Sequence, residues 1–469
     1  MDSKGGSSEA EVVVLMVPFP SQGHLNQLLH LSCLISAQGV AVHYVSTATH
    51  SRQARRRVQG WDHVTISNIV FHEYTSLSFQ SPPPDPHASI KFPSHLQPLF
   101  EASLLLRKPV GELLRKLSAT SRRVVIIHDS MMGSVIQDFV NLPNAESYTF
   151  HSVSAFSIFF FLWEKKGRPF SIDSEILEIL PSLERCFTTE FGRFIGKQHQ
   201  YKKFNSGEIY NTSRVIENHF FELLTKPEIS KKRQWALGPF NPVIINAAES
   251  NSRHKCLKWL DMQAPRSAIF VSFGTTISLS NEEIRELAIG LEKSEVKFLW
   301  VLRDADRGDV FTGTGEEDKR PTDQLPKGFE ERNQENGIIV RDWAPQLEIL
   351  GHFATGGFLS HCGWNSCMES ISMGVPIAAW PVHSDQPRNA VLITKILKIG
   401  VTVKEWGPGN ESVRSCGVER ALRKLMVSKE GEEVRKRAAE FGGAVRSSVA
   451  EGGAAHLEFE SFISHINRY

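Results

Sequence analysis

The segment Ser360–Ser366 (SHCGWNS) carries residue types that could bind an anion. It follows a short apolar strand pattern and precedes a helical one, so its backbone amides lie at a helix start, where the helix dipole attracts negative charge. Gly363 would let a ligand approach the backbone closely. The side chains of His361, Asn365 and Ser366 would add hydrogen-bond donors. This chemistry predicts a phosphate site, although for the loop alone a helix start that binds nothing is an equal alternative.

Two flanking segments offer the other contacts that a nucleotide sugar needs. Trp343–Gln346 (WAPQ) places an aromatic ring beside polar groups, which suits a flat base. His383–Gln386 (HSDQ) provides a carboxylate and an amide, which suit sugar hydroxyls. Contacts to base, phosphate and sugar in this order predict a nucleotide-sugar site in the C-terminal half.

Two further polar residues follow predicted strands in the N-terminal half. His24 lies in the loop Pro18–Asn26, and its imidazole could accept a proton near neutral pH. A lone histidine in such a loop is more often structural or exposed, so its position alone decides little. Asp129 lies at the carboxyl end of another strand, where an aspartate commonly caps the following helix.

Alternating strands and helices must position these residues. Val12–Val17 (VVVLMV) is a β-branched apolar run, typical of a parallel strand that is covered on both faces. A helix at Leu28–Ala37 and a strand at Val40–Val45 complete a βαβ unit. The same pattern predicts a strand at Arg123–Ile127 and a helix at Met132–Val140.

A second alternating series occupies the C-terminal half. A helix is predicted at Asn281–Lys293, where Ser280 and Glu283 have the spacing of a capping box. Ser366 and Glu369 have the same spacing at the start of another helix. The predicted strands of this series are Ala268–Phe273, Phe298–Leu302, Ile338–Val340, Gly357–Leu359, Ile377–Ala379 and Val401–Val403.

Three polar stretches interrupt the ordered elements. Gly238–Arg253, rich in Pro, Asn and Ser, predicts a linker between two similar α/β halves. Arg303–Asp323 predicts a mobile loop, and Ser81–Pro86 (SPPPDP) predicts a surface loop. Because ligands of open parallel sheets bind at the carboxyl ends of the strands, we expect the chemistry in a cleft between the halves.

The composition argues against several classes of protein. The chain has 469 residues, 41% hydrophobic and 22% charged, which suits a globular protein of two or three domains. A net charge of +1 offers no excess for nucleic acid, and the basic run Arg52–Arg57 is typical of a solvated helix face. Six cysteines without a CxxC pair argue against a disulfide scaffold and structural zinc. The apolar stretch Val153–Trp163 is shorter than the roughly 20 residues of a membrane span, so it predicts a buried helix or a pocket wall. With no targeting segment visible at the N-terminus, we expect a cytoplasmic protein.

The whole segment Trp343–Gln386 resembles the donor-binding signature of plant UDP-dependent glycosyltransferases. It has the WAPQ start, the HCGWNS core, Glu369 and the closing Asp-Gln pair, and the FPSQGH loop around His24 also fits. The resemblance implies the GT-B fold, an α/β class in which two Rossmann-like parallel-sheet domains face a cleft. The implied parts are an acceptor-binding domain at 1–240, a linker at 241–254, a UDP-sugar-binding domain at 255–450 and a C-terminal helix at 451–469 that packs back on the first domain.

The resemblance also implies which residues bind the donor. They are Thr275, Trp343, Ala344, Gln346, His361, Trp364, Asn365, Ser366, Glu369, Asp385 and Gln386. Within this set, Trp343 would stack on uracil, and Glu369 would hold the ribose hydroxyls. The loop Ser360–Ser366 would bind the diphosphate. Asp385 and Gln386 would grip the sugar, and a terminal Gln goes with UDP-glucose more often than with UDP-galactose.

For catalysis, His24 matches the position of the family's base and Asp129 that of its orienting carboxylate. The hypothesis is a His24–Asp129 dyad in which the carboxylate stabilises the imidazolium as it forms. The transfer would invert the anomeric centre. The resemblance implies no metal and no cofactor, with UDP-glucose as donor substrate. We expect small molecules as the partners, neither nucleic acid nor a membrane, and a monomer.

The acceptor is less clearly marked. Phe150, Phe156 and Phe160 are candidates for an apolar acceptor pocket, with ordinary core an equal alternative. A narrower resemblance of Val17–Ser32 (VPFPSQGHLNQLLHLS) to the zeatin O-glycosyltransferases implies the side-chain hydroxyl of a cytokinin, cis or trans, as the acceptor. Flavonols or other phenols as acceptors, and xylose as the sugar, stay open.

Two other function classes would share part of the pattern. An NAD-dependent oxidoreductase would have similar sheets, but it needs a GxGxxG loop after the first strand, where this chain has FPSQGH. A non-catalytic nucleotide-sugar binder would keep the donor signature and lack the base. The presence of both His24 and Asp129 argues against such a binder.

Overall fold

The computed structural model describes residues 11–75, 79–245, 254–308, 324–407 and 413–469. The N-terminal half contains seven strands, β1 to β7, at Val12–Val17, Ala41–Thr47, Ile69–Tyr74, Arg123–Asp129, Ala145–His151, Gly207–Tyr210 and Arg233–Ala236. Its helices, α1 to α9, are Gln22–Ser36, Ala48–Arg57, His63–Ser67, Gln97–Ser103, Arg107–Thr120, Ala155–Lys165, Ser174–Ile179, Thr189–His199 and Arg214–Leu224. These strands form one sheet in the order β3-β2-β1-β4-β5-β6-β7.

The C-terminal half is built in the same way over the described residues. Its strands, β8 to β13, are Ala268–Ser272, Lys297–Val301, Gly337–Val340, Thr355–Ser360, Ile377–Ala379 and Gly400–Thr402. Its helices, α10 to α18, are Lys255–Asp261, Asn281–Ser294, Phe329–Asn333, Gln346–Leu350, Trp364–Met373, Gln386–Val391, Ser415–Met426, Lys429–Val449 and Ala454–Ile466. The strands form a second sheet in the order β10-β9-β8-β11-β12-β13.

Both sheets are parallel, and helices cover their faces, as the continuous apolar strands predict. All six residues of β1 are buried, and β1 pairs in parallel with β2 on one side and β4 on the other. Every strand predicted from the sequence is present with ends shifted by at most two residues. The extension of β4 matters most for function, because it makes Asp129 the last residue of that strand.

Two helix predictions in the N-terminal half are corrected. Helix α1 begins at Gln22 rather than Leu28, so His24 lies in the first turn of a helix and not in a loop. The segment predicted as a helix at Met132–Val140 forms turns followed by a short 3-10 helix instead. The backbone there is pressed against α8, since a Cβ on Gly133 would lie 2.5 Å from the carbonyl oxygen of Gln198. This tertiary contact overrides the local helical pattern.

One of the two predicted capping boxes is confirmed. The Ser280 side chain accepts from the Glu283 amide, and the Glu283 carboxylate accepts from the Ser280 amide. The second is wrong, because α14 starts earlier, with Gly363 as its N-cap and no side-chain cap. Ser366 and Glu369 therefore lie inside the helix, where their side chains are available for other contacts.

The last helix, α18, packs on the first sheet. Phe459, Phe462 and Ile466 belong to the apolar core under that sheet. The Phe462 ring lies 5.5 Å from that of Tyr148 and 5.2 Å from that of Trp235. The end of the chain thus returns to the N-terminal half.

The predicted loops and linker are partly covered by the structure. Ser81–Pro86 contains no helix or strand, as expected. The predicted linker is described only up to residue 245, and residues 246–253 lie outside the described residues. Likewise, residues 309–323 of the predicted mobile loop lie outside them.

Candidate active site

A cavity of about 580 Å³ lies between the two halves. Its walls come from segments that follow β1, β4 and β5 in the first sheet and β8, β11 and β12 in the second. These are the carboxyl ends of parallel strands, where loops and helix starts converge. The eleven predicted donor residues and His24 all line this cavity, whereas Asp129 lies behind His24 and does not line it.

His24 and Asp129 form a hydrogen-bonded pair at the cavity wall. The His24 Nδ1 lies 2.6 Å from Asp129 Oδ2, and the Asp129 side chain is fully buried while that of His24 is 22% exposed. The other carboxylate oxygen of Asp129 accepts a hydrogen bond from the Met131 amide at 2.9 Å. With Nδ1 donating to the carboxylate, the His24 Nε2 carries a lone pair and can accept a proton. The Phe19 ring contacts the imidazole edge-on at 5.4 Å.

The loop between β11 and α14 is shaped around the His361 ring. A Cβ on Gly363 would lie 2.5 Å from His361 Nε2, and a Cβ on Gly274 would lie 2.8 Å from the same atom. Gly274 also has a φ of +76°. Only glycine fits at both positions. Burial lowers the pKa of His361 to about 4, so its imidazole is neutral at neutral pH.

Helix α14 and the start of α13 hold a buried carboxylate together. Gln346 Nε2 donates to Glu369 Oε2 at 2.7 Å and to Ser366 Oγ at 3.0 Å. Asn365 Nδ2 donates to Glu369 Oε1 at 2.8 Å. Burial raises the pKa of Glu369 to about 7, against the effect of these two amide donors. Trp343 lines the same wall and is half-buried. A carboxylate beside an indole can accept from ribose hydroxyls while the ring stacks on a base.

At the opposite end of the donor wall, β12 leads into Asp385 and Gln386. The Gln386 Oε1 accepts from the backbone amides of Val382 and His383 at 2.9 and 3.0 Å. Its side-chain oxygen is therefore occupied by the backbone, and its amide nitrogen lies 3.5 Å from each ring nitrogen of His383. Burial raises the pKa of Asp385 to about 6. A hydrogen bond of 2.7 Å from Asn389 Nδ2 reaches Asp385 Oδ2.

Several hydrogen bonds around the cavity join the two halves. The indole of Trp364 is 2% exposed and donates to the Asn211 carbonyl oxygen at 2.8 Å. The Gln59 Oε1 accepts from the Leu347 amide at 2.9 Å, at the start of α13. The donor wall is thus anchored to the N-terminal half at its core and its rim.

The basic run at the end of α2 contributes to the same junction. Arg52 and Arg56 are exposed, as predicted for a solvated face. Arg57 is buried, which corrects that prediction, and its Nη1 lies 2.5 Å from Asp306 Oδ2 in the other half. Arg57, the last residue of the run, therefore forms a buried ion pair between the two halves.

The structure does not place the predicted acceptor residues in the cavity wall. Phe150, Phe156 and Phe160 are fully buried in the core, and none of them lines the cavity. The rings of Phe156 and Phe160 pack on each other at 5.0 Å. The opposite face of α6 lines the cavity instead, including Ile158 and Phe161. The sequence could not distinguish the two faces because both are apolar.

The aromatic wall of the cavity comes from residues that the sequence analysis did not identify. They are Phe19, Phe92, Phe100, Phe187 and Phe191. The Phe92 ring lies 4.7 Å from Phe191, and the rings of Phe187 and Phe191 stack at 5.4 Å. Phe187 precedes α8 and Phe191 lies in its first turn, so no regular spacing in the sequence indicates that the two rings share a wall. Polar side chains, among them those of Ser130, His151 and His199, interrupt the apolar surface.

The described residues contain no group of three or more His, Cys, Asp or Glu side chains that could hold a metal ion. Across the described part of the chain, no helix combines the length and apolar character that crossing a bilayer requires.

Known proteins match the chain over its whole length. Residues 10–242 match the profile "Glycosyltransferase, N-terminal domain", and residues 232–433 match "UDP-glucoronosyl and UDP-glucosyl transferase". The chain is 54% identical to the zeatin O-glucosyltransferase of Phaseolus lunatus, with 100% of each chain covered. It is 52% identical to the zeatin O-xylosyltransferase of Phaseolus vulgaris, with 98% of this chain and 99% of the relative covered.

A solved structure of a related protein has the same fold. A UGT transferase from Siraitia grosvenorii in complex with UDP aligns with a TM-score of 0.74 at 28% identity, covering 98% of this chain and 100% of the other. The expected GT-B arrangement of two Rossmann-like domains is confirmed, and the oxidoreductase alternative is excluded. The chain belongs to the UDP-glucoronosyl and UDP-glucosyl transferase family, and the protein is a UDP-dependent glycosyltransferase.

Proposed function

We propose that the protein transfers glucose from UDP-glucose to the side-chain hydroxyl of zeatin, with inversion at the anomeric carbon. The observation that carries the proposal is the joint placement of two groups on one cavity: the His24–Asp129 pair and the eleven donor residues. Full-length similarity to two zeatin O-glycosyltransferases supports the acceptor class.

The donor would lie along the wall formed by the C-terminal half. Trp343 stacks on uracil, and Glu369 accepts from the ribose hydroxyls, with Gln346 fixing its carboxylate. The free amides at the start of α14 face the diphosphate, and the loop Ser360–Ser366 adds side-chain donors. The helix dipole and these donors favour the negative charge that builds up on the leaving diphosphate.

His24 would act as the general base. Its Nε2 takes the proton of the acceptor hydroxyl while the hydroxyl oxygen forms a bond to the anomeric carbon. The bond from that carbon to the diphosphate oxygen breaks on the opposite face, and UDP leaves with the electron pair. An α-linked donor thus gives a β-glycoside. Asp129 keeps the imidazole in the required tautomer and stabilises its protonated form.

The acceptor would occupy the aromatic part of the cavity. Phe92, Phe187 and Phe191 form a wall for a flat ring, while His199 offers a hydrogen bond to a ring nitrogen. A purine carrying an aliphatic hydroxyl has both features. Flavonols and other phenols would use the same aromatic wall, so they are the second candidate acceptors. Xylose is the second candidate sugar, because a relative named for xylosyl transfer is 52% identical.

Product analysis tests the proposal directly. Purified protein would receive UDP-glucose or UDP-xylose with trans-zeatin, cis-zeatin, a flavonol and a simple phenol, and the products would be identified by mass spectrometry and NMR. We expect a hexose in β-linkage on the zeatin side chain. A pentose product would favour the xylosyl alternative, and flavonol glucosides with unmodified zeatin would overturn the acceptor. Retained α-configuration would contradict the inverting mechanism. UDP-glucose binding without any product would favour the non-catalytic binder.

We also propose a location, an assembly state and a metal-independent reaction for the enzyme. We place the enzyme in the cytoplasm, where its six free cysteines, five of them buried, would stay reduced. It would act as a monomer on small molecules, without a membrane or nucleic-acid partner. Transfer would need no metal and no cofactor, so activity should survive EDTA. Subcellular fractionation and size-exclusion chromatography with light scattering test location and assembly.

A further inference from the structure

The carboxylate proposed to grip the sugar is held by a residue that connects it to the opposite half of the molecule. Asn389 lies one helical turn after Asp385, and its Nδ2 donates to Asp385 Oδ2 at 2.7 Å. The same nitrogen donates to the Cys362 carbonyl oxygen at 3.0 Å. Its Oδ1 accepts from Ser154 Oγ of the N-terminal half at 2.7 Å.

These contacts fix the Asn389 amide in one orientation. Both Asn389 and Ser154 are completely buried, so water cannot substitute for a lost partner. A rotation that exchanged the amide oxygen and nitrogen would set the oxygen against two acceptors, Asp385 Oδ2 and the Cys362 carbonyl. An unpaired polar group that is shielded from water is strongly unfavourable. The observed orientation is therefore the stable one, and it leaves Asp385 Oδ1 for a ligand hydroxyl.

The partner in the N-terminal half is the start of helix α6. Ser154 is the N-cap of this helix and accepts from the Ser157 amide at 3.1 Å. Arg388, next to Asn389, donates to Glu164 Oε2 at 2.7 Å and so docks on the other end of the same helix. One face of α6, with Ile158 and Phe161, lines the aromatic part of the cavity. A single helix thus contacts the acceptor side and fixes the segment that carries Asp385.

We propose that Asn389 is a positioning residue for sugar recognition, and that Ser154 holds it in place across the junction between the halves. Asn389 does not line the cavity, so it acts through the carboxylate of Asp385. The donor sugar is then gripped fully only when the two halves are in contact at α6. The inference rests on the proposed function, because it takes Asp385 as the group that binds the sugar.

The test compares UDP-glucose with UDP, which lacks the glucosyl group. Asn389→Leu and Ser154→Ala would be measured for binding of UDP and of UDP-glucose by calorimetry, and for kcat and KM. For Asn389→Leu we expect kcat/KM for UDP-glucose to fall about 100-fold, the size of effect that follows from a misplaced binding group. We expect UDP affinity to stay within about twofold, since UDP lacks the glucosyl group that Asp385 would hold. Equal losses for UDP and UDP-glucose, or no loss for either, would overturn the inference.

Two further variants separate positioning from folding. Asn389→Asp keeps the shape and the acceptor for Ser154 but sets a carboxylate against Asp385. One of the two would then hold a proton at low pH, so lost activity should recover as the pH falls, unlike in the wild type. Ser370→Ala removes a buried hydroxyl of α14 that bonds the Val375 carbonyl oxygen at 2.8 Å, and it should leave the ratio of UDP-glucose to UDP affinity unchanged. A similar change of ratio in Ser370→Ala would contradict the positioning role. A wild type that glucosylates other acceptors but not zeatin would overturn only the proposed acceptor.

Discussion

The donor wall and the aromatic part of the cavity are built in different ways. Ten of the eleven donor residues, all except Thr275, come from one stretch, Trp343–Gln386. In this stretch, loops and helix starts follow β10, β11 and β12. The aromatic wall collects single residues from positions as far apart as Phe19 and Phe191. A contiguous loop that binds through its own backbone leaves a pattern in the sequence. A wall formed by residues from distant segments leaves almost no recognisable pattern in the sequence.

The two regions also differ in their polar chemistry. The donor wall contains two carboxyl groups, the buried Glu369 and the half-buried Asp385, whose pKa values burial raises to about 7 and about 6. The acceptor side is largely apolar and contains the His24–Asp129 pair. The first region therefore binds through hydrogen bonds to polar ligand groups, while the second presents one base to a hydroxyl on an apolar ligand.

The largest effect should come from the base, which the two regions share. His24→Ala should lower kcat about 1,000-fold, within the range expected for removing a general base, because no other group takes the proton. UDP affinity should remain, since the donor wall is intact. Single-turnover kinetics and UDP calorimetry check both. Asp129→Asn, which keeps the shape but favours the wrong tautomer, should cause a loss of similar size. Near-normal turnover of His24→Ala would remove His24 from the mechanism.

The second-largest effect should be a pH dependence of UDP affinity that comes from the protonation of Glu369 on the donor wall. In the ligand-free protein the Glu369 pKa is about 7, so the carboxyl is largely protonated at pH 6 and ionised at pH 8. Ribose hydroxyls donate to the ionised form, so UDP binding should lower the pKa and release a proton near pH 7. UDP affinity should therefore rise as the pH rises from 6 to 8. Calorimetry in two buffers of different ionisation enthalpy measures the released proton. Glu369→Gln should abolish both the release and this pH dependence, and their persistence in that variant would assign them to another group.

Substitutions of two phenylalanines test which rings form the wall of the cavity and which belong to the hydrophobic core. Phe191→Ala removes a ring from the aromatic wall and should raise the KM for the acceptor about tenfold, with little change in thermal stability. Phe160→Ala empties part of the core and should lower the free energy of unfolding by about 3–5 kcal/mol. The KM of its folded fraction should change little. Steady-state kinetics and denaturant unfolding distinguish the two, and an acceptor KM that responds only to Phe160→Ala would reverse the assignment.

These phenylalanines also show where sequence reasoning reached its limit. The strands were predictable because apolar runs such as Val12–Val17 are nearly specific to covered parallel strands. The donor positions were predictable because local loop geometry fixes them. Helix α6 was predictable as an apolar element, but the choice between Phe160 and Phe161 depends on what packs against each face. That information lies in distant segments such as α9, whose Phe220 ring lies 6.1 Å from that of Phe160.

Two other predictions from the sequence were wrong for the same physical reason. Helix α1 starts at Gln22, whose Oε1 accepts hydrogen bonds from Gln53 and Arg57 of α2, and the turns after Met132 pack against α8. The local sequence pattern does not indicate these contacts. The burial of Arg57 is a further case, since an arginine in a basic run is usually solvated and here meets Asp306 of the other half. Local chemistry predicts sites within one half, whereas contacts between halves need the fold.

The smallest expected effect tests how far the donor wall depends on such contacts. Gln59 Oε1 accepts from the amides of Leu347 and Glu348 at the start of α13, the helix that carries Gln346. Gln59→Ala removes the acceptor, and the loss of about 0.5–1.5 kcal/mol per hydrogen bond should weaken UDP binding a few fold. Gln59→Glu keeps the acceptor and adds a charge that the helix dipole favours, so it should bind UDP at least as well as the wild type. Calorimetry with UDP resolves differences of this size. If Gln59→Glu weakened binding as much as Gln59→Ala, the contact would act by packing alone, and the donor wall would be as independent of the N-terminal half as its contiguous sequence suggests.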